Sequence, residues 1–201
     1  MGQLIIFRHG ESLWNLENRF TGWADVELTE KGIEEAKEAG KKLKSFKLNK
    51  GYASALKRTQ QTLLFALKEC GQENISLVFN KALNERNYGD LQGLNKTAAI
   101  EKFGQDQVNK WRRSYDIAPP HGESLKDTRE RVISYVQRVI MLVLNTDNNM
   151  VLVAHGNTMR ALVMYFENIS SEEIIKLEFK TGEIRLYEFV EKLKITQITN
   201  L

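Results

Sequence analysis

Two short stretches constrain what this chain can fold into. Residues 4–11, "LIIFRHGE", and residues 151–157, "VLVAHGN", each open with an uninterrupted apolar run and end in His-Gly. A strand with one wet face alternates apolar and polar residues. An apolar run throughout suits a strand covered on both faces, as in a parallel sheet flanked by helices. Each run then gives way abruptly to polar groups: Arg8, His9, Gly10 and Glu11 after the first, His155, Gly156 and Asn157 after the second. Charged groups are costly to bury without partners, so such a strand either surfaces there or mounts a reactive group. In open α/β sheets, ligands bind beyond the carboxyl ends of strands near the switch in strand order. Two of the three histidines stand at such ends, and on neighbouring strands they would face one another. The third, His121 in "PPHGES", follows two prolines rather than a strand and reads as a loop residue without a catalytic role.

The rest of the pattern alternates strands with helices. A first strand covers Gln3 to Phe7. Thr29 N-caps a helix in "LTEKGIEEAKEAGKKLKSF", with Ile33, Ala36, Ala39 and Leu43 on one side. A short strand near "GYAS" leads into a helix ending at Gly71, and "ISLVFN" is another strand. "TAAIEKFGQDQVNKWRR" reads as a broken helix and "SYDIAPPHGE" as a loop. A long helix, "SLKDTRERVISYVQRVIMLVLN", starts at Ser124 with Asp127 completing a capping box. The strand "NMVLVAHG", the helix "NTMRALVMYFEN" and a closing strand "GEIRLYEFVE" complete the chain. The expected fold is α/β: a three-layer sandwich with a mostly parallel central sheet and helices on both faces, one domain over residues 1–201.

Composition removes several function classes. The formal net charge is +3, too balanced for a nucleic-acid footprint, so no nucleic-acid partner is expected. There is no apolar stretch of membrane-spanning length and no leader before the first strand, and Ile6 breaks the myristoylation pattern after Met1-Gly2. No membrane association is expected, and the protein reads as cytoplasmic. Cys70 is the single cysteine, which rules out an intramolecular disulfide, and its apolar surroundings suit a filler.

The chemistry follows from the two histidines. There is no cysteine cluster, no H-E-x-x-H spacing and no G-x-x-x-x-G-K loop, so no metal site is expected. A neutral imidazole is a competent nucleophile towards phosphorus. Metal-free phosphoryl transfer then needs arginine, histidine and backbone N–H groups to balance the phosphoryl oxygens. Arg8 stands beside the first histidine and Arg58 at the start of a helix, and a bidentate guanidinium is the natural clamp.

"RHGESLWNLENRFTGWADVELTEKG", "SALKRTQQT", "LNERNYGDLQGLNK", "WRR" and "AHGN" together resemble the cofactor-dependent phosphoglycerate mutases of the histidine phosphatase superfamily, over residues 4 to about 190. The resemblance implies that His9 is the phosphorylated nucleophile, that His155 binds the phosphoryl oxygens, and that Arg8 and Arg58 complete the clamp. Glu85 matches the family's general acid/base. Lys96, Arg112 and Arg113 would hold the substrate's carboxylate and second phosphate, with Arg86 and the Tyr88 hydroxyl beside them. Ser12, Asn15, Thr21, Gly22, Gly156 and Asn157 match the loops that contact the ligand, while Trp14, Phe20 and Trp23 read as packing. The implied reaction is interconversion of 3-phosphoglycerate and 2-phosphoglycerate in glycolysis and gluconeogenesis. The implied cofactor is 2,3-bisphosphoglycerate, with no metal, and the family suggests a homodimer.

Two departures from the family pattern matter. "SYDIAPPHGESLKD" replaces a long insertion, and the chain stops soon after "LYEFVEKLKITQITNL". Less cover over the site would admit water to the phosphohistidine, so a compact mutase with phosphatase side activity is expected. The competing readings are a phosphomonoesterase on the same site and a non-catalytic scaffold.

Overall fold

A computed structural model describes residues 2–144, 148–190 and 194–201. Six strands form one sheet in the order β3-β2-β4-β1-β5-β6: β1 (Gly2–Arg8), β2 (Lys50–Ser54), β3 (Ser76–Asn80), β4 (Asn149–Ala154), β5 (Ile184–Val190) and β6 (Lys194–Asn200). The β3-β2-β4-β1 stretch is parallel, and β5 and β6 run antiparallel to their neighbours. The helices are α1 (Leu13–Leu16), α2 (Glu30–Leu43), α3 (Lys57–Cys70), α4 (Lys96–Phe103), α5 (Gln105–Arg113), α6 (Leu125–Tyr135), α7 (Met141–Leu144), α8 (Gly156–Glu167) and α9 (Ser171–Ile174). None of them is long and apolar enough to cross a membrane.

The apolar runs are buried on both faces, as their patterns require. In β1, Leu4 and Ile6 join one core with α6 and α8, while Ile5 and Phe7 join the other with α2 and α3. In β4 the same division sets Met150, Leu152 and Ala154 against Val151 and Val153. A third, smaller core of Phe20, Leu91, Ala99, Val108 and Trp111 lies under α4 and α5.

Local signals operate where they stand in the sequence. The Thr29 side chain accepts from the Gly32 N–H, and Ser124 and Asp127 form a capping box. Gly71 caps α3 in the left-handed region at φ 71°. The break in the α4–α5 segment falls at Gly104, φ 83°. On α2 the buried face is Gly32, Ala36, Ala39, Gly40 and Leu43, with Ile33 only half-buried. The glycines take the closest approach there: a Cβ on Gly32 would stand 2.0 Å from the Glu11 carbonyl oxygen.

Two expectations need correction. The long helix after Ser124 is not uniform: α6 widens into a π turn over Val136–Ile140 before α7, and Asn145 at its expected end lies outside the described residues. The strand over 184–190 is not the last. Its neighbour β6 is an exposed edge whose polar sequence, "KITQITN", carries no apolar run to announce it.

Candidate active site

The β1–β4 register brings the two histidines together. Arg8 is paired with Ala154, so His9 and His155 leave their strands side by side, with ring centroids 5.0 Å apart. On the other side of β4, the carboxyl end of β2 delivers Ser54, whose Oγ lies 2.8 Å from His155 Nε2. That hydroxyl also accepts from the Leu56 N–H and lies 2.7 Å from Thr59 Oγ1. His155 is fully buried behind His9, and its Nδ1 has no hydrogen-bond partner among the described residues.

The tautomer of His9 follows from its bond to the neighbouring backbone. Nδ1 lies 2.6 Å from the Gly10 carbonyl oxygen. A carbonyl can only accept, so Nδ1 carries the proton and neutral His9 presents its Nε2 lone pair. Among the described residues that Nε2 has no hydrogen-bond partner. Burial, then the charges of Arg58 and Arg8, hold the His9 pKa well below 6.5, outweighing the Gly10 bond. Burial, then Arg58, His9, Arg8 and Arg131, do the same to His155. Both rings are therefore neutral at pH 7.

This has a measurable cost in acid. Below about pH 6.5 the unfolded chain protonates both histidines while the folded protein does not, so stability present above that pH is lost as it falls. We expect a lower thermal-unfolding midpoint at pH 5.5 than at pH 7.5, read by calorimetry, with a smaller drop in His9→Gln.

Two adjoining cavities open in front of His9. The first, about 90 Å³, is lined by Arg8, His9, Asn15, Arg19, Phe20, Thr21, Gly22, Arg58, Glu85, Tyr88 and Lys96. Arg58 is 1% exposed, and its Nη1 and Nη2 donate to the Ala24 and Gly22 carbonyls at 3.0 and 2.8 Å. Burial chiefly brings its pKa down to about 10. Arg8 Nη1 donates to the Phe179 carbonyl at 2.6 Å. The second cavity, about 280 Å³, shares Arg8, Glu85, Tyr88 and Lys96 with the first and adds Arg112, Arg113, Gly156, Asn157, Arg160, Glu178 and Phe179.

Glu85 stands where the cavities meet, on a segment fastened from several sides. Its Oε1 accepts from the Arg86 and Asn157 N–H groups at 2.7 and 3.1 Å. Its carbonyl accepts from Trp23 Nε1 at 2.6 Å and from Arg131 Nη2 at 3.3 Å. Arg131 is anchored by Glu123, which also accepts from the Asn87 N–H. The "HGES" loop thus braces the Glu85 segment, and Trp23 does more than pack. His121 itself lies outside both cavities, its ring against the Asp90 carboxylate.

Two residues expected at the ligand do not line either cavity. The Ser12 hydroxyl is not at a cavity wall: it is fully buried and donates to Asn15 Oδ1 at 2.9 Å, tying down the start of α1. Arg86 is fully buried too, with its guanidinium 4.6 Å over the Tyr88 ring and Nη2 donating to the Arg112 carbonyl. Tyr88 lines the second cavity and Arg86 does not. Sequence reasoning missed Arg19, Arg160, Glu178 and Phe179 at the walls. Arg160 alone left a trace, falling three positions after Asn157 on the same helix face.

A strand-end imidazole with two arginines and a carboxylate around adjoining cavities has the chemistry that phosphoryl transfer through histidine requires. The comparisons give the lineage: residues 4–200 match the histidine phosphatase superfamily (branch 1), and the chain belongs to that superfamily. It is 50% identical over 196 residues to a 2,3-bisphosphoglycerate-dependent phosphoglycerate mutase of Cytophaga hutchinsonii, covering 98% of this chain and 92% of the relative. It is 52% identical to the protein of the same name from Bradyrhizobium diazoefficiens, over 92% of this chain and 90% of that one. Among solved structures, Bacillus stearothermophilus YhfR shares the fold with a TM-score of 0.86 at 24% identity, over 98% of this chain and 95% of its own.

Proposed function

We propose that this protein is a 2,3-bisphosphoglycerate-dependent phosphoglycerate mutase, interconverting 3-phosphoglycerate and 2-phosphoglycerate through phosphorylated His9. The observation that carries this reading is the second, strongly cationic cavity joined to the first at Arg8, Glu85, Tyr88 and Lys96. A simple phosphomonoesterase has no need of it. A phosphorylated acid does, because a second anion must be held while the first reacts. The names of relatives at half identity over nearly the whole chain support the same substrate class.

The residues present fit a bisphosphorylated ligand. Arg8 Nε, Arg58 Nε and Thr21 Oγ1 are buried at the first cavity without hydrogen-bond partners among the described residues, a costly arrangement that oxyanions relieve. Bound there, 2,3-bisphosphoglycerate supplies the phosphoryl group that primes the enzyme. His9 Nε2 would take that phosphoryl group in line as the phosphorus–ester oxygen bond breaks, with Glu85 giving the leaving oxygen its proton, Arg8 and Arg58 balancing the charge on the equatorial oxygens, and His155 behind. The free hydroxyl of the phosphoglycerate then takes the phosphoryl group from His9, and Glu85 takes the hydroxyl proton. Return of the phosphoryl group from the neighbouring carbon reverses both movements and restores phosphorylated His9. Asn15, Thr21, Gly22, Gly156 and Asn157 shape the walls around these groups, and Arg112 and Arg113 hold the remote anion. The whole of residues 1–201 acts as one catalytic domain.

The test is conversion of 3-phosphoglycerate in EDTA with a trace of 2,3-bisphosphoglycerate, followed by phosphorus NMR. A 2-phosphoglycerate signal growing faster than inorganic phosphate is expected. Inorganic phosphate alone would replace this reading with a phosphatase.

A further inference from the structure

The second cavity holds a cation that the mechanism above leaves unused. Arg8, Lys96, Arg112, Arg113 and Arg160 face Glu85 and Glu178 there, an excess of three positive charges. Glu178 is paired with Arg113, and Glu85 is engaged by backbone N–H groups. Arg160 has no carboxylate partner among the described residues.

Its placement is fixed nonetheless. Nε donates to the Leu177 carbonyl at 2.9 Å, and Nη1 to Asn157 Oδ1 at 3.1 Å. Asn157 Nδ2 in turn donates to the Tyr88 hydroxyl oxygen at 3.3 Å. These bonds hold the planar guanidinium in one orientation and leave Nη2 without a hydrogen-bond partner among the described residues. Burial, then Arg113 and Arg86, push its pKa below the ordinary arginine value, against the opposing pull of Tyr88 and Glu85. A pre-oriented guanidinium short of counter-charge is costly in the free protein and is compensated when an oxyanion arrives.

Building on the mutase reading, we propose that Arg160 is a specificity-determining residue, whose free guanidinium edge binds the substrate oxyanion remote from the phosphoryl group on His9. The charges match: a phosphomonoester near −2 together with a carboxylate balances the excess of the cavity. Asn157, between Arg160 and Tyr88, links this contact to the junction of the two cavities.

The experiment measures equilibrium binding of 3-phosphoglycerate and of phenyl phosphate, a monoester with no second anion, by calorimetry on the full chain. Arg160→Met keeps an unbranched apolar stem and removes the guanidinium with its charge. It is expected to weaken 3-phosphoglycerate by about 10- to 100-fold, the size of a lost charge-assisted contact, and phenyl phosphate by less than about twofold. Arg160→Lys keeps a point charge without the fork and should fall between wild type and Arg160→Met. An unchanged affinity for 3-phosphoglycerate in Arg160→Met overturns the proposal, and so does an equal loss for both ligands, the mark of a structural role. Wild-type protein that binds 3-phosphoglycerate no better than phenyl phosphate contradicts the mutase reading itself, which separates the two failures.

Discussion

Replacing His9 with alanine is expected to lower turnover of 3-phosphoglycerate by about four orders of magnitude or more, the cost of losing a covalent nucleophile. The effect belongs to chemistry rather than to binding. Among the described residues the His9 side chain bonds only to the Gly10 carbonyl, and the two arginines are anchored elsewhere, Arg8 on Phe179 and Arg58 on Gly22 and Ala24. Binding of 3-phosphoglycerate should therefore stay within a few-fold of wild type, since its remote anion rests on the second cavity. Steady-state rates with a parallel binding titration check both halves. A variant retaining a tenth of wild-type turnover would move the nucleophile to another residue.

The second large effect is expected at Glu85. Glu85→Gln preserves the shape and leaves an amide oxygen to accept from the Arg86 and Asn157 N–H groups. What it removes is the capacity to exchange a proton with the substrate hydroxyl. General acid–base catalysis contributes about 10²- to 10⁴-fold, and kcat should fall within that range while KM changes little. A rise in KM with kcat preserved would instead make Glu85 a binding residue.

The sequence carried the parts of the structure that rest on local physics. Uninterrupted apolar runs identified β1 and β4 as strands buried on both faces, and caps at Thr29, Ser124 and Gly71 marked helix ends. Two strand ends of the same design raised the pairing of His9 with His155 on the condition that the strands are neighbours, and the parallel β1–β4 register meets that condition. Strand β6 escaped because an exposed edge has no burial pattern to read. At the site, Ser12 and Arg86 show the limit of a motif: a hydroxyl after a nucleophile can cap a helix turn, and an arginine after an acid can lie beneath an aromatic ring. The contribution of Trp23 and Arg131 to holding the Glu85 carbonyl depends on side chains from three segments meeting, and no single stretch encodes it. Arg160 is visible as a cavity cation only once α8 is docked over the Leu177 carbonyl.

The central claim is that His9 carries the phosphoryl group and returns it to phosphoglycerate rather than to water. It is tested by loading the protein with radiolabelled 2,3-bisphosphoglycerate, locating the label by peptide mapping, and chasing with unlabelled 3-phosphoglycerate. The account predicts an acid-labile label on the peptide containing His9 that moves into phosphoglycerate on the chase. Label on another residue, or label released wholly as inorganic phosphate, would contradict it.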